Sequence, residues 1–144
     1  MYAPTIDWPT DTDAILARLR ACGISPTAQR VEIARALLSR PQHLSADQVL
    51  AVVNRERSSV SKATIYNTLA LFAEKGLVRE VIVDPSRVFY DSNTEPHHHL
   101  YQVEDGALSD IALNSIALDG LPALPEGMEI DRVDVIVRVR KPRD

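Results

Sequence analysis

Cysteine is almost missing from this sequence: Cys22 is the only one in 144 residues. No internal disulfide can form, and no cysteine-rich zinc site can be built within one chain. Long apolar runs are missing too. None approaches the ~20 residues that a membrane helix needs, so no membrane partner is expected. The opening "MYAPTIDWPTDTD" has no Lys or Arg, and no apolar stretch follows it. It does not read as a signal peptide, and the expected compartment is the cytoplasm. Aromatic residues are few as well, at 5%. Against this scarcity, three of the four histidines stand side by side in "EPHHHLY", Glu95 to Tyr101.

Positive charge is also short overall, with a formal net charge of −4. The deficit is uneven. Residues 1–91 carry eleven Lys and Arg against ten Asp and Glu; residues 92–144 carry five against ten. The near-neutral part can still place its basic residues on one face, and DNA affinity follows local charge.

Helical periodicity fills the first half. "DAILARLRACG" reads as a short amphipathic helix from Asp13 with a glycine cap at Gly23. "SPTAQRVEIARALLSRP" reads as a second helix, capped by Ser25, with Pro26 near its first turn and a stop before Pro41. Ser45 and Gln48 have the spacing of a capping box for a helix over 45–56. A polar turn, "SSVS", precedes a helix over 61–75. There Ile65, Leu69 and Phe72 make one stripe for burial. After Gly76 the period changes to that of strands. "LVREVIVD" and "RVFYDS" make a hairpin through "DPSR". Three helices and then a hairpin are the pattern of a winged helix-turn-helix, with 77–91 as the wing.

A polar hinge follows at 92–96. "HHHLYQVEDGALSDIAL" reads as a β-hairpin turning at Glu104, Asp105 and Gly106. A Pro-rich connection, "ALDGLPALPEGME", leaves room for one helical turn. In "IDRVDVIVRVRK" Val133, Val135, Val137 and Val139 face one way, and Asp134, Ile136, Arg138 and Arg140 the other. Three strands make a thin sheet, and lobes this small need a partner or a metal. The expected fold class is α+β. A winged helix-turn-helix DNA-binding domain occupies 1–91, with 1–12 a loose arm. A small α/β dimerisation domain, mainly antiparallel sheet, occupies 97–144.

Two sets of residues carry candidate chemistry. At the start of the 61–75 helix, Ser61, Lys62, Thr64, Tyr66 and Asn67 suit DNA: hydroxyls and Lys62 for phosphates, Asn67 for a base edge, Tyr66 for a thymine methyl. Arg30 and Arg87 are placed to bracket the backbone. The bland alternative is an ordinary polar helix face, or a winged helix that docks proteins. The second set starts from strand alternation. His97 and His99 point one way and His98 the other. Asp91, Asp110 and His43 stand where they can add ligands. A His3Asp2 set suits one Fe2+, Mn2+ or Zn2+ per subunit, with neutral imidazoles required. A chance solvent-facing histidine run is the alternative.

These stretches resemble the ferric uptake regulator (Fur) family of bacterial metal-dependent repressors, over roughly residues 13–141. "GISPTAQRVEIARAL" is similar to the family's second helix, with its Thr-x-x-Arg signature in Thr27 to Arg30. "SKATIYNTLALFAEKGLV" is similar to its recognition helix, and "EPHHHLY" stands at its histidine-rich motif. The resemblance implies the same sensing site: His43, Asp91, His97, His99 and Asp110. Their spacing fits the peroxide-sensing regulators, in which bound Fe2+ with peroxide oxidises a ligand such as His43 or His97. Gln102 to Asp105 stand where most members have a CxxC pair, so the four-cysteine structural zinc is not expected. His98 and Pro96 also depart from the family pattern, and a second metal site is not expected. Residues 96–141 look most like the iron response regulators, some of which respond to haem; Cys22 lacks the Cys-Pro motif, while the route through the His97–His99 run, and His98 in particular, stays open.

The expected function is a homodimeric repressor that binds a palindromic operator in double-stranded DNA. A metal at the hinge would set the spacing of two recognition helices, with half-sites ~34 Å apart. The signal would be peroxide or iron status. A haem-responsive regulator is the first alternative. A small metal-dependent hydrolase is more distant, since no general base stands apart from the ligands.

Overall fold

The structure is a computed structural model and describes residues 8–9, 11–55 and 60–143. The chain divides into two compact units, Met1–Thr94 and Glu95–Asp144.

The first described helix is α1 (Thr12–Ala21), which begins one residue before the expected start at Asp13. Asp11 caps it, accepting from the Ala14 N–H at 2.7 Å. Its end is closed by Gly23, whose φ of 73° only glycine adopts without strain. The Gly23 and Ile24 N–H groups return to the Arg20 and Leu19 carbonyls, a Schellman closure with buried Ile24 above buried Leu19. The next helix, α2 (Ala28–Leu38), is capped by Thr27 and not by Ser25. Thr27 Oγ1 accepts from the Arg30 N–H, while the Ser25 carbonyl accepts from the Arg30 guanidinium at 2.8 Å.

A strand that periodicity did not reveal comes next, β1 (His43–Ser45). Three residues are too few to show alternation. The capping box of Ser45 and Gln48 then opens α3 (Ala46–Val53), shorter than the expected 45–56. Asn54 closes it. The Asn54 side chain also donates to the Val60 carbonyl and accepts from the Val60 N–H, which ties the end of α3 to Val60. The expected helix end at Glu56 and the Ser58–Ser59 part of the expected polar turn lie outside the described residues.

The helix α4 (Lys62–Glu74) has Ser61 as its cap and the same glycine closure at Gly76. Its stripe of Ile65, Leu69 and Phe72 is fully buried. It packs with Ile15 and Leu19 of α1, Ile33 and Leu37 of α2, and Val49 of α3. Each such side chain contributes roughly 1.5–3 kcal/mol by leaving water. The wing is β2 (Arg79–Asp84) and β3 (Arg87–Asp91), with a bulge near Val83. β3 lies in the middle of a three-stranded sheet, with β1 antiparallel on its other edge. Burial, then Glu80 and Tyr66, hold the Tyr90 phenol above its ordinary 10.0.

The second unit is a three-stranded sheet of order β5-β4-β6: β4 (His98–Gln102), β5 (Leu108–Ile111) and β6 (Ile136–Val139). The β4–β5 hairpin turns where expected. The β4–β6 pairing is parallel, so the sheet is mixed and not mainly antiparallel. β6 is much shorter than the alternating run over 130–141. A strand extends only as far as it has a partner, and β4 offers five residues. The one helical turn, a 3-10 turn at Leu113–Ser115, precedes the Pro-rich connection and does not lie in it. No α-helix is present among this unit's described residues, so the expected α/β lobe is a sheet with one turn. Tyr101 is its one buried apolar side chain among the described residues.

Phe72→Ala should lower the stability of the first unit by about 3–5 kcal/mol, the usual cost of emptying a full aromatic site. Urea unfolding followed by circular dichroism measures it. A loss below about 1 kcal/mol would mean that this face of α4 is not the centre of the core.

Candidate metal centre and nucleic-acid face

Each unit carries part of the predicted ligand set. In the first, β1 and β3 pair with His43 opposite Asp91. The His43 Nε2 lies 3.3 Å from Asp91 Oδ2, and the Asp91 side chain is 1% exposed. The other carboxylate oxygen, Oδ1, accepts from the Asn93 N–H at 2.9 Å. A carboxylate this buried must be neutralised or satisfied, because desolvation disfavours an isolated charge. Both signals for it were legible, but the pairing was not. β1 is invisible to periodicity, so only the fold brings His43 to the end of the wing.

In the second unit, His99 stands opposite Asp110 across the β4–β5 pair. His97 lies just before β4, one residue outside the strand on which it was expected, yet on the same side as His99. The His97 and His99 rings are 4.5 Å apart at 60°. Their Nε2 atoms lie 3.4 and 3.7 Å from one oxygen, Asp110 Oδ1. One ligand atom from each of these three residues falls within 4.8 Å of the other two. The His97 Nδ1 lies 2.6 Å from the Glu95 carbonyl. A carbonyl only accepts, so Nδ1 carries a proton, and Nε2 is the atom turned towards Asp110. Orienting an imidazole through its far nitrogen in this way is usual for a metal ligand. Two imidazoles and a carboxylate on one face fit a borderline divalent cation.

His98 has the opposite arrangement. Its Nδ1 accepts from the Val135 N–H at 3.3 Å, so its proton is on Nε2. The side chain is 1% exposed, and the buried Nε2 has no hydrogen-bond partner among the described residues. It pins β6 to β4 and is not a solvent-facing member of a run.

The residues selected for DNA lie at two helix starts and on the wing. Thr27 is exposed at the α2 cap, and Arg30 is half-buried beside it. Ser61 Oγ accepts from the Thr64 N–H and donates to Thr64 Oγ1, so both hydroxyls also serve the cap. Lys62, Tyr66 and Asn67 are exposed on α4, Tyr66 by 45%. Lys62 Nζ is 5.7 Å from the Tyr66 ring centre and 3.4 Å from Asp47. Arg87 is exposed at the start of β3. Gln42 and Ser92 were missed. Gln42 lies between Pro41 and His43 with no motif, and Ser92 reads as hinge, yet it is buried and bonded to Gln42 and Arg40.

Two units of this kind, a winged helix-turn-helix and a small sheet with an imidazole–carboxylate cluster, define a class to which known proteins can be compared. Residues 21–137 match the Ferric uptake regulator family, and the chain belongs to that family. It is 36% identical over 95 residues to the "Peroxide-responsive repressor PerR" of Staphylococcus aureus (strain Mu50), covering 66% of this chain and 64% of the relative. The match thus spans a little under two thirds of the relative's length. The ferric uptake regulator of Pseudomonas aeruginosa, solved with manganese, superposes with a TM-score of 0.67 at 25% identity, over 88% of this chain and 97% of that one. The Vibrio cholerae ferric uptake regulator superposes with a TM-score of 0.69 at 18% identity, over 88% and 98%, and so shares the fold. No helix among the described residues is long and apolar enough to cross a membrane.

Nitrogen-15 NMR of the metal-free protein should find the proton of His97 on Nδ1 and that of His98 on Nε2. The same tautomer at both positions would contradict the hydrogen bonds to the Glu95 carbonyl and from the Val135 N–H.

Proposed function

We propose that this chain is a homodimeric, metal-dependent repressor that binds an operator in double-stranded DNA and senses peroxide or iron status. The residues that would hold one divalent cation per subunit, Fe2+, Mn2+ or Zn2+, are His43 and Asp91 with His97, His99 and Asp110. The observation that carries the reading is the convergence of His97 and His99 Nε2 on Asp110 Oδ1, in a chain of this family. When bound, the cation would supply a fixed positive charge for these ligands. The protein's own part is to orient the ligands, His97 through the Glu95 carbonyl and Asp91 through the Asn93 N–H.

Repression needs a DNA face and a partner copy. Lys62, Tyr66 and Asn67 on α4 are the proposed readers of the major groove, with Ser61, Thr64, Thr27, Arg30 and Arg87 on the phosphates. Eight of the ten large apolar side chains exposed among the described residues belong to the second unit, from Val103 to Val137. With Tyr101 as the one buried apolar residue there, a second copy is the economical cover. The first unit would be the DNA-binding domain and the second the dimerisation domain. Peroxide is the favoured signal, because the curated relatives include a peroxide-responsive repressor. Haem through His98 is less favoured: its Nε2 carries the proton, is buried, and would reach an iron only if the β4–β6 pairing opened.

Two substitutions separate the functions. Tyr66→Ala should weaken specific operator binding in a gel shift and leave metal content unchanged. His97→Ala should lower both, costing roughly 5–150-fold in operator affinity, the usual range of a coupling free energy. Stoichiometric metal in His97→Ala by mass spectrometry would remove the proposed site. Peroxide treatment of the Fe2+-loaded protein should add one oxygen to His43 or His97 in peptide mapping; no such gain would point to iron status instead. Paired Leu121→Glu and Met128→Glu changes should turn a sedimenting dimer into a monomer. An unchanged dimer would exclude that surface.

A further inference from the structure

His43 and Asp91 are held by two residues that would not themselves touch a cation. Ser92 Oγ accepts from the Gln42 N–H at 3.0 Å and donates to the Arg40 carbonyl at 2.9 Å. The Ser92 N–H donates to the Gln42 carbonyl at 3.0 Å. This adds one rung to the β1–β3 ladder just beyond the His43–Asp91 pair. The rung is tied at its other side as well. Gln42 Nε2 donates to the Ala36 and Leu37 carbonyls at 2.8 and 3.0 Å. These are two of the carbonyls that α2 leaves open at its C-terminus.

The arrangement meets a specific need. β1 has three residues, and His43 is its first. A strand end of that length frays unless something beyond it is anchored. A frayed His43 would have to be ordered each time a cation bound, at a cost in affinity. Gln42 and Ser92 extend the order past His43 on one strand and past Asp91 on the other. Ser92 is buried, so the hydroxyl bonds are sheltered from water.

We propose that Gln42 and Ser92 are positioning residues for the metal centre: their clasp between the end of α2 and the end of β3 presets His43 and Asp91 for a divalent cation. The proposal rests on the metal reading above. A purely structural clasp would lower stability and leave the affinity of folded molecules unchanged; a positioning clasp lowers affinity too.

The test measures Mn2+ affinity of the full chain by competition with a chromophoric chelator, in the unaltered protein and in Ser92→Ala, Ser92→Thr and Gln42→Met. Amide hydrogen exchange of the metal-free forms runs beside it. Ser92→Ala and Gln42→Met should each weaken Mn2+ binding by roughly 10-fold or more, the usual effect of losing an outer partner, and Ser92→Thr should stay within about threefold of the unaltered protein. The residue 92 amide should be protected in the unaltered protein and in Ser92→Thr, and exposed to exchange in Ser92→Ala. If Ser92→Ala also loses protection across α4 it has unfolded, and Gln42→Met decides. Affinities within about twofold of each other across all four proteins would overturn the proposal while the metal reading stands. No Mn2+ binding by an unaltered protein whose residue 92 amide is protected would overturn both, with the clasp reduced to a fold element.

Discussion

The antiparallel pairing of β1 with β3 is the constraint on which the first unit's site depends. The wing hairpin alone would leave β3 as an edge strand, with Asp91 at its open end. β1 covers that edge with three residues and sets His43 against Asp91. Because the capping Ser45 of α3 is also the last residue of β1, the same three residues tie the wing to the helix that precedes α4. A slip of one residue would turn His43 to the other face of the sheet. The bonds of Gln42 to α2 and of Ser92 to Arg40 and Gln42 hold that register where the strand is shortest.

The second unit is built on a different balance. Its strands bring imidazoles and a carboxylate together, and most of its large apolar side chains face outward. Met128 is 66% exposed. A sheet of three short strands buries too little apolar surface to offset the entropy of ordering it. The proposed remedies, a cation and a second copy, act on different faces of this shortage. A cation would relieve the crowding of His97, His99 and Asp110, while a partner would cover the leucines of the Pro-rich connection. Pro122 and Pro125 lie within that connection, where they oppose a regular helix.

Local signals were sufficient where a feature repeats or closes within a few residues. The stripe of Ile65, Leu69 and Phe72, the capping box of Ser45 and Gln48, and the glycines at 23 and 76 all act over one or two helical turns. They read correctly for that reason. Errors arose where two local solutions compete. Ser25 and Thr27 can both cap a helix, and the tie is broken by Arg30, whose guanidinium takes the Ser25 carbonyl. The alternation over 130–141 is real in the sequence. Yet only Ile136–Val139 forms β6, because β4 is short and the pairing is parallel.

The chain's chemistry was thus determined by the sequence: imidazoles and carboxylates at separations that strands and a hairpin can bring together, with an internal disulfide and a cysteine-rich zinc site excluded by a single Cys22. Which atoms face each other was decided by tertiary structure. Adjacent histidines illustrate the difference. Alternation alone separates His98 from His97 and His99. It takes the β4–β6 pairing to bury His98 against the Val135 N–H, and the Glu95 carbonyl to turn the His97 Nε2 towards Asp110. Hydrogen bonds to backbone groups from distant segments set tautomer and direction, and sequence spacing contains no record of them.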